Sequence, residues 1–242
     1  IASGGGVSLE EGFRFNELIP QNYYPVLETV TDLELVQKIE MVKRTEAVAK
    51  DYDERIIRVT VSMMDALNLT QVVTSEGHVL RDTRPMFRMN VHCVSQEGDN
   101  IQNGSSGIGG RVGLDYLKQA DHARILGEQA AAEAILLLGA KQAPSGLMPV
   151  ILGPAQSGIL LHEAVGHPLE ADFNRKGSSA YSGRIGEKVA SELCTIYDCG
   201  TIPHERGAIN FDDEGVPSAE NLLIENGVLR NYMHDRISAK HF

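Results

Sequence analysis

From Thr31 to about Asp53 apolar residues recur at Leu35, Val36, Ile39 and Val42 with charged residues opposite them, which predicts an amphipathic helix capped by Thr31 and Glu34 and buried along that stripe. The period then shortens to two. Ile57, Val59 and Val61 alternate with Arg58, Thr60 and Ser62, and apolar runs follow at Val72-Val73, His78 to Leu80 and Phe87 to Cys93. With Glu76-Gly77 and Arg84-Pro85 as punctuation, this reads as an antiparallel meander. Asn100 to Gly113 is so rich in glycine that it predicts a flexible loop, and it holds neither a dinucleotide fingerprint nor a phosphate-loop ending. A second long helix is expected from about Tyr116 to Leu138, with Ile125, Leu126, Ala130, Ala134, Leu137 and Leu138 as its apolar stripe.

Gly139 to Pro149, with Pro144, Ser145 and Gly146, is the best domain boundary in the chain. Beyond it the pattern predicts a short strand at Val150 to Leu152 and a turn at Gly153-Pro154. A helix follows, capped by Ser157 and buried through Leu160, Leu161, Ala164 and Val165. The last third is strand-like at Glu192 to Tyr197 and Leu222 to Tyr232, and Glu225-Asn226-Gly227 signals a type I′ hairpin.

The helix after Ser157 leads into His162-Glu163-Ala164-Val165-Gly166-His167-Pro168, two histidines with a glutamate directly after the first. On a straight α-helix, positions five apart diverge by about 140°, so the rings could not share an ion. Gly166 offers a left-handed break and Pro168 a stop, which predicts that the chain bends at Gly166 and returns His167 toward His162. Two neutral imidazoles beside a carboxylate suit a Zn²⁺ site in which Glu163 is the general base for peptide hydrolysis. The alternative is a pair of solvent-facing histidines near a helix end. Glu170 and Asp172 could orient the histidines or simply serve a helix end, and Asp212, Asp213 and Glu214 could be a carboxylate cluster or a solvated turn before Gly215. Cys194, read as part of a strand, and Cys199 are poor metal ligands by this reading. His78, His92, His122, His204, His234 and His241 have no partner at ligand spacing.

Charge and composition narrow the field. The 242 residues carry 22 Lys plus Arg against 33 Asp plus Glu, a net charge of −11 with no basic run, which argues against a nucleic-acid or anionic-membrane surface. No apolar run approaches the roughly 18 to 20 residues of a membrane span. Three cysteines, Cys93, Cys194 and Cys199, are too few for a disulfide framework and suit a reducing compartment, so a cytoplasmic protein is expected. The Ile1 start and the Lys240-His241-Phe242 finish suggest a piece of a longer chain.

The run His162 to Asp172 with Phe173-Asn174-Arg175-Lys176, together with Phe211-Asp212-Asp213-Glu214-Gly215 and Leu223-Ile224-Glu225-Asn226-Gly227, resembles the TldD branch of the TldD/PmbA proteins, some of which carry the label modulator of DNA gyrase. The resemblance implies a zinc metallopeptidase that cleaves small or unfolded peptides, with His162 and His167 as metal ligands and Glu163 as the catalytic residue. It also implies a third ligand, a cysteine, beyond Phe242, and a closed homodimer or a heterodimer with a PmbA-like subunit that lacks the motif. A non-catalytic scaffold or regulatory subunit that binds a protein partner is the alternative. The whole reads as an α+β protein. An N-terminal α/β domain over residues 1–141, with the antiparallel meander and two long helices, precedes a β-rich catalytic domain over 150–242. That second domain is opened by the metal-motif helix and is expected to be incomplete at its C-terminus.

Overall fold

The computed structural model describes residues 15–154 and 157–242. Its first half is a sheet with helices on one face. A two-residue strand β1 (Asn16–Glu17) precedes β2 (Ile56–Val73), β3 (His78–Glu97) and β4 (Asn100–Gly110). β3 is central: it pairs antiparallel with β2 from Ser95 to Val79, antiparallel with β4 from Phe87 to Glu97, and parallel with β1 at His78 and Val79. The meander is as expected, and the Glu76-Gly77 turn closes it with Gly77 at φ 86°.

Two expectations fail here. Arg84-Pro85 does not interrupt the sheet, because Pro85 stays in register opposite Leu67. It lies past the last β3–β4 pair, Phe87 with Gly110, so its missing amide hydrogen costs that ladder nothing. The glycine-rich segment is not a flexible loop but strand β4. The glycines serve packing: a Cβ on Gly104 would lie 2.2 Å from the Ala130 carbonyl oxygen and 2.4 Å from the Ala134 nitrogen, both backbone atoms of the helix above.

That helix, α3, follows α1 (Leu35–Asp51) and a short α2 (Leu114–Lys118) and spans His122–Leu138. The expected single helix from Tyr116 is thus two, divided where Asp121 caps α3 by accepting from the Arg124 amide. Of the predicted stripe Leu126, Ala130, Ala134 and Leu138 are buried, and Ile125 and Leu137 are only half-buried. Ser95 and Ser106 on the sheet donate their hydroxyls to the Ala134 and Leu126 carbonyls, both at 2.7 Å. On α1 the buried face is Thr45 and Ala49, not the predicted larger residues; Leu35 and Val36 are 70% and 60% exposed. Gly127 of α3 explains the choice, since its missing Cβ would sit 2.9 Å from Val48 Cγ1 and 3.0 Å from the Thr45 carbonyl. Close helix contact selects small residues. The cap is displaced too: Thr29 and Asp32 close a 3₁₀ turn at Val30–Asp32, and α1 starts after Glu34, whose amide donates to Gln37.

Val150 to Leu152 forms no strand, and Ile151 is 98% exposed. A strand needs a ladder, and among the described residues none lies beside it. α4 (Ser157–Leu161) leads into the motif, and α5 (Ala171–Arg175) follows it. Of the predicted buried face only Val165 is buried; Leu160, Leu161 and Ala164 are exposed. A three-stranded antiparallel sheet of β5 (Ile196–Cys199), β6 (Glu220–Glu225) and β7 (Val228–Leu229) backs this region, and α6 (Arg236–His241) ends the described chain. The hairpin has its type I′ signature, Asn226 at φ 48° and Gly227 at φ 80°. Leu223, Ile224, Leu229 and Tyr232 of this hairpin pack on Val165, Leu169 and Ala171.

A buried polar knot ties the two halves together. The Asp82 carboxylate accepts from the Tyr24 phenol at 2.6 Å, from Asn210 Nδ2 at 2.8 Å and from Arg84 Nε at 2.8 Å. Arg84 also donates to the Phe211 carbonyl at 2.6 Å, and Arg111 donates to the Ala208 carbonyl while its guanidinium lies over the Tyr24 ring. Burial, aided by Asp82, pushes the Tyr24 phenol up to about 12.

Candidate metal centre

The motif stays helical, but it is not an α-helix. His162–Gly166 is a π-helical segment in which the His167 amide donates to the His162 carbonyl, and a 3₁₀ turn over His167–Leu169 follows. Pro168 supplies the physical reason: in an α-helix its ring would strike the carbonyl of Ala164, four residues back, and widening the turn relieves the clash. Bonding from i to i+5 also sets the sixth residue over the first, which an α-helix cannot do. The rings of His162 and His167 lie 4.4 Å apart between centroids at an interplanar angle of 71°.

The convergence is therefore as expected, and the expected means is not. Gly166 has φ −56° and ψ −72°, ordinary right-handed values, so no left-handed break occurs there. A Cβ at Gly166 would lie 3.5 Å from His162 Nδ1, an ordinary contact. Gly166→Ala is expected to leave stability unchanged or raise it by about 0.4–1 kcal/mol, because alanine loses less backbone entropy. Denaturant unfolding of the two proteins checks this. A loss above about 1 kcal/mol would restore the left-handed reading.

His162, Glu163 and His167 are all exposed, and one ligand atom from each lies within 4.8 Å of the others. A tetrahedral ion with bonds of about 2.0–2.1 Å wants donors about 3.4 Å apart, so a small closing movement of the two exposed imidazoles suffices, with the Glu163 carboxylate left beside the ion. The donor chemistry also fits, two imidazoles being common ligands of a borderline-soft divalent ion. Glu170 Oε1 meets His167 Nδ1 at 2.6 Å. That hydrogen bond, with the charges of Glu170 and Glu163, raises the His167 pKa above its ordinary value. With Nδ1 engaged, Nε2 is the ring atom left for an ion, the carboxylate–histidine–metal arrangement.

The other candidates separate cleanly. Asp172 pairs with Lys176 at 3.0 Å and does not orient the histidines. Asp212 is a turn residue, its Oδ1 accepting the Glu214 and Val216 amides at 2.9 Å, and Glu214 accepts the Arg236 amide. Cys194 lies in a turn ahead of β5 rather than in a strand, and Cys199 Sγ sits 3.2 Å from Thr201 Oγ1. Among the described residues His162, Glu163 and His167 form the one group with metal-binding geometry. Burial lifts the Cys93 thiol to about 11, so it stays protonated at neutral pH. A thiol reagent should label the half-buried Cys194 and Cys199 in the native protein and reach Cys93 only on unfolding; fast native labelling of Cys93 would contradict its burial.

The spacing did not announce what fixes the far end of the motif. Asn174 Nδ2 donates to the Pro168 and Glu170 carbonyls at 2.8 and 2.9 Å, and Ser179 Oγ donates to the Pro168 carbonyl at 2.5 Å. The only advance signal was Pro168 itself, which withholds an amide from the turn.

Residues 28–138 match the PmbA/TldA metallopeptidase central domain, and residues 145–242 match the C-terminal domain of the same proteins. A Haemophilus influenzae protein named metalloprotease TldD homolog is 40% identical over 93% of this chain and 48% of its own length. A Buchnera aphidicola protein of the same name, from the strain of Acyrthosiphon pisum, is 39% identical over 89% of this chain and 47% of its own. Among solved structures, a Thermotoga maritima protein described as a DNA gyrase modulator superposes with a TM-score of 0.82 at 25% identity, covering 95% of this chain and 52% of that one. The chain spans about half the length of the relatives it matches.

Proposed function

This chain belongs to the PmbA/TldD metallopeptidase family, and we propose that in the full-length protein it supplies the His162–Glu163–His167 part of a zinc centre that hydrolyses small or unfolded peptides. The observation that carries this reading is the π-helical turn that sets the two imidazoles 4.4 Å apart beside a carboxylate. His162 and His167 Nε2 would hold the ion, and Glu170 would keep the His167 ring oriented from behind. Two imidazoles are fewer than the three protein ligands usual in catalytic zinc sites, so a further ligand comes from outside this pair. Bound there, Zn²⁺ would polarise the scissile carbonyl and acidify water.

Glu163 then does the proton work. Its carboxylate accepts a proton from the attacking water as oxygen adds to the carbonyl carbon, and it returns that proton to the amine nitrogen as the C–N bond breaks. The exposure of all three residues leaves room for an extended peptide to approach. The intact His-Glu-His group favours this catalytic role over that of a scaffold or regulatory subunit. Assembly as a homodimer, or with a PmbA-like subunit, is part of the proposal. Among the described residues no helix is long and apolar enough to cross a membrane.

The test is cleavage of an unstructured peptide by the full-length protein before and after chelation. Cleavage should vanish with a chelator and return with Zn²⁺. Activity that persists without metal would remove the proposal.

A further inference from the structure

Pro168 stands four residues after Ala164, so the Ala164 carbonyl has no amide at the position from which an α-helix would supply its donor. The Tyr181 hydroxyl donates to that carbonyl at 3.1 Å. Ala164 lies inside the π-helical segment, between Glu163 and His167, in the turn that brings the two rings together. A carbonyl left to find water would leave this turn free to relax toward geometries in which positions five apart point away from each other.

Tyr181 is itself anchored. Its carbonyl accepts from the Tyr232 hydroxyl at 2.7 Å, and the same hydroxyl accepts from the Gly183 amide at 3.0 Å. Its amide donates at 3.1 Å to Ser179 Oγ, the hydroxyl that bonds the Pro168 carbonyl. Tyr232 is 2% exposed in the cluster with Val165, Leu169, Leu223, Ile224 and Leu229, and the Tyr181 ring packs against that cluster. A continuous set of contacts thus runs from the hydrophobic core to the middle of the motif. We infer that Tyr181 is a positioning residue of the centre, holding the widened turn so that His162, Glu163 and His167 face one ion. This rests on the metal-centre reading above. Tyr181 acts only through the backbone of Ala164.

Tyr181→Phe keeps the ring packing and removes only the hydroxyl. Full-length wild type and variant, stripped of metal, are titrated with Zn²⁺ against a chromophoric chelator, and their Co²⁺ absorption spectra are compared. The variant should bind Zn²⁺ about tenfold more weakly, as loss of an outer hydrogen-bonding partner typically does, with an altered Co²⁺ spectrum. Asp172→Asn, which touches neither histidine, should match wild type in both readouts. A merely structural hydroxyl would lower the unfolding temperature and leave affinity and spectrum as in wild type, and that result overturns the inference while the metal-centre reading stands. If wild type itself takes up no Zn²⁺, the metal-centre reading fails and this inference with it.

Discussion

Replacing Glu163 with glutamine in the full-length protein is expected to lower peptide cleavage by about 10²–10⁴-fold, the range for loss of a positioned general base, with metal content unchanged. The amide keeps the shape of the carboxylate but cannot accept and return a proton. Retention of metal follows from the assignment of the ion to His162 and His167, with Glu163 beside them rather than in the ligand set. Cleavage that survives the substitution would end Glu163's role as base. Loss of metal together with activity would make Glu163 a ligand instead.

The largest effect on stability is expected at Asp82. Its side chain is 2% exposed and takes donors from Tyr24, Asn210 and Arg84 at once. Its charge also reaches Arg111, whose pKa is depressed by burial and by the neighbouring Arg84 while Tyr24 and Asp82 oppose them. Asp82→Ala would leave Arg84, 13% exposed, without its close counter-ion and the Tyr24 phenol without its acceptor, while Asn210 Nδ2 would keep only its longer bond to Asn22 Oδ1 at 3.4 Å. The cost should be about 3–5 kcal/mol, the range for removing one member of a buried pair, read from denaturant unfolding. Asp82→Asn, which can still accept from two of the three donors, should cost less. A loss under about 1 kcal/mol for Asp82→Ala would show that water takes the carboxylate's place. Because Asn210 and Phe211 come from the second half of the chain, the same variant should loosen the tie between the halves.

Local pattern was informative where the deciding forces are local. The inward Val59 and Val61 of β2, the Leu126–Leu138 stripe of α3 and the Asn226-Gly227 turn each appear where the residues placed them, whereas Ile57, past a register shift, is 53% exposed. Pattern failed where a neighbour distant in sequence decides. Gly104 reads as a loop residue until α3 lies 2.2 Å from its missing Cβ, and the larger Leu35, Val36 and Ile39 read as the buried face of α1 until Gly127 selects the small Thr45 and Ala49 beside that stripe. Val150 to Leu152 reads as a strand, but no ladder exists for it among the described residues.

The motif shows both sides of this. Spacing picked out His162, Glu163 and His167 and showed that a shared ion requires a departure from a straight α-helix, while a pair of solvent-facing histidines stayed open as the alternative. The π turn did not follow from it, because Gly166 is the conspicuous helix breaker while the deciding factor is the clash that an α-helix would force between the Pro168 ring and the Ala164 carbonyl. Glu170 and Asp172 both read as residues that could orient the histidines or serve a helix end, and only Glu170 meets His167. Asn174, Ser179 and Tyr181 were not recognisable as partners of the motif, since each acts on backbone carbonyls that a reading of side-chain types passes over.

The most direct measurement is the metal content of the purified full-length protein and of its His162→Ala and His167→Ala variants, each confirmed as folded by its unfolding transition. A single shared ion predicts about one zinc per chain in wild type and its loss from both variants. Metal retained in both variants, or absent from wild type, would contradict the account.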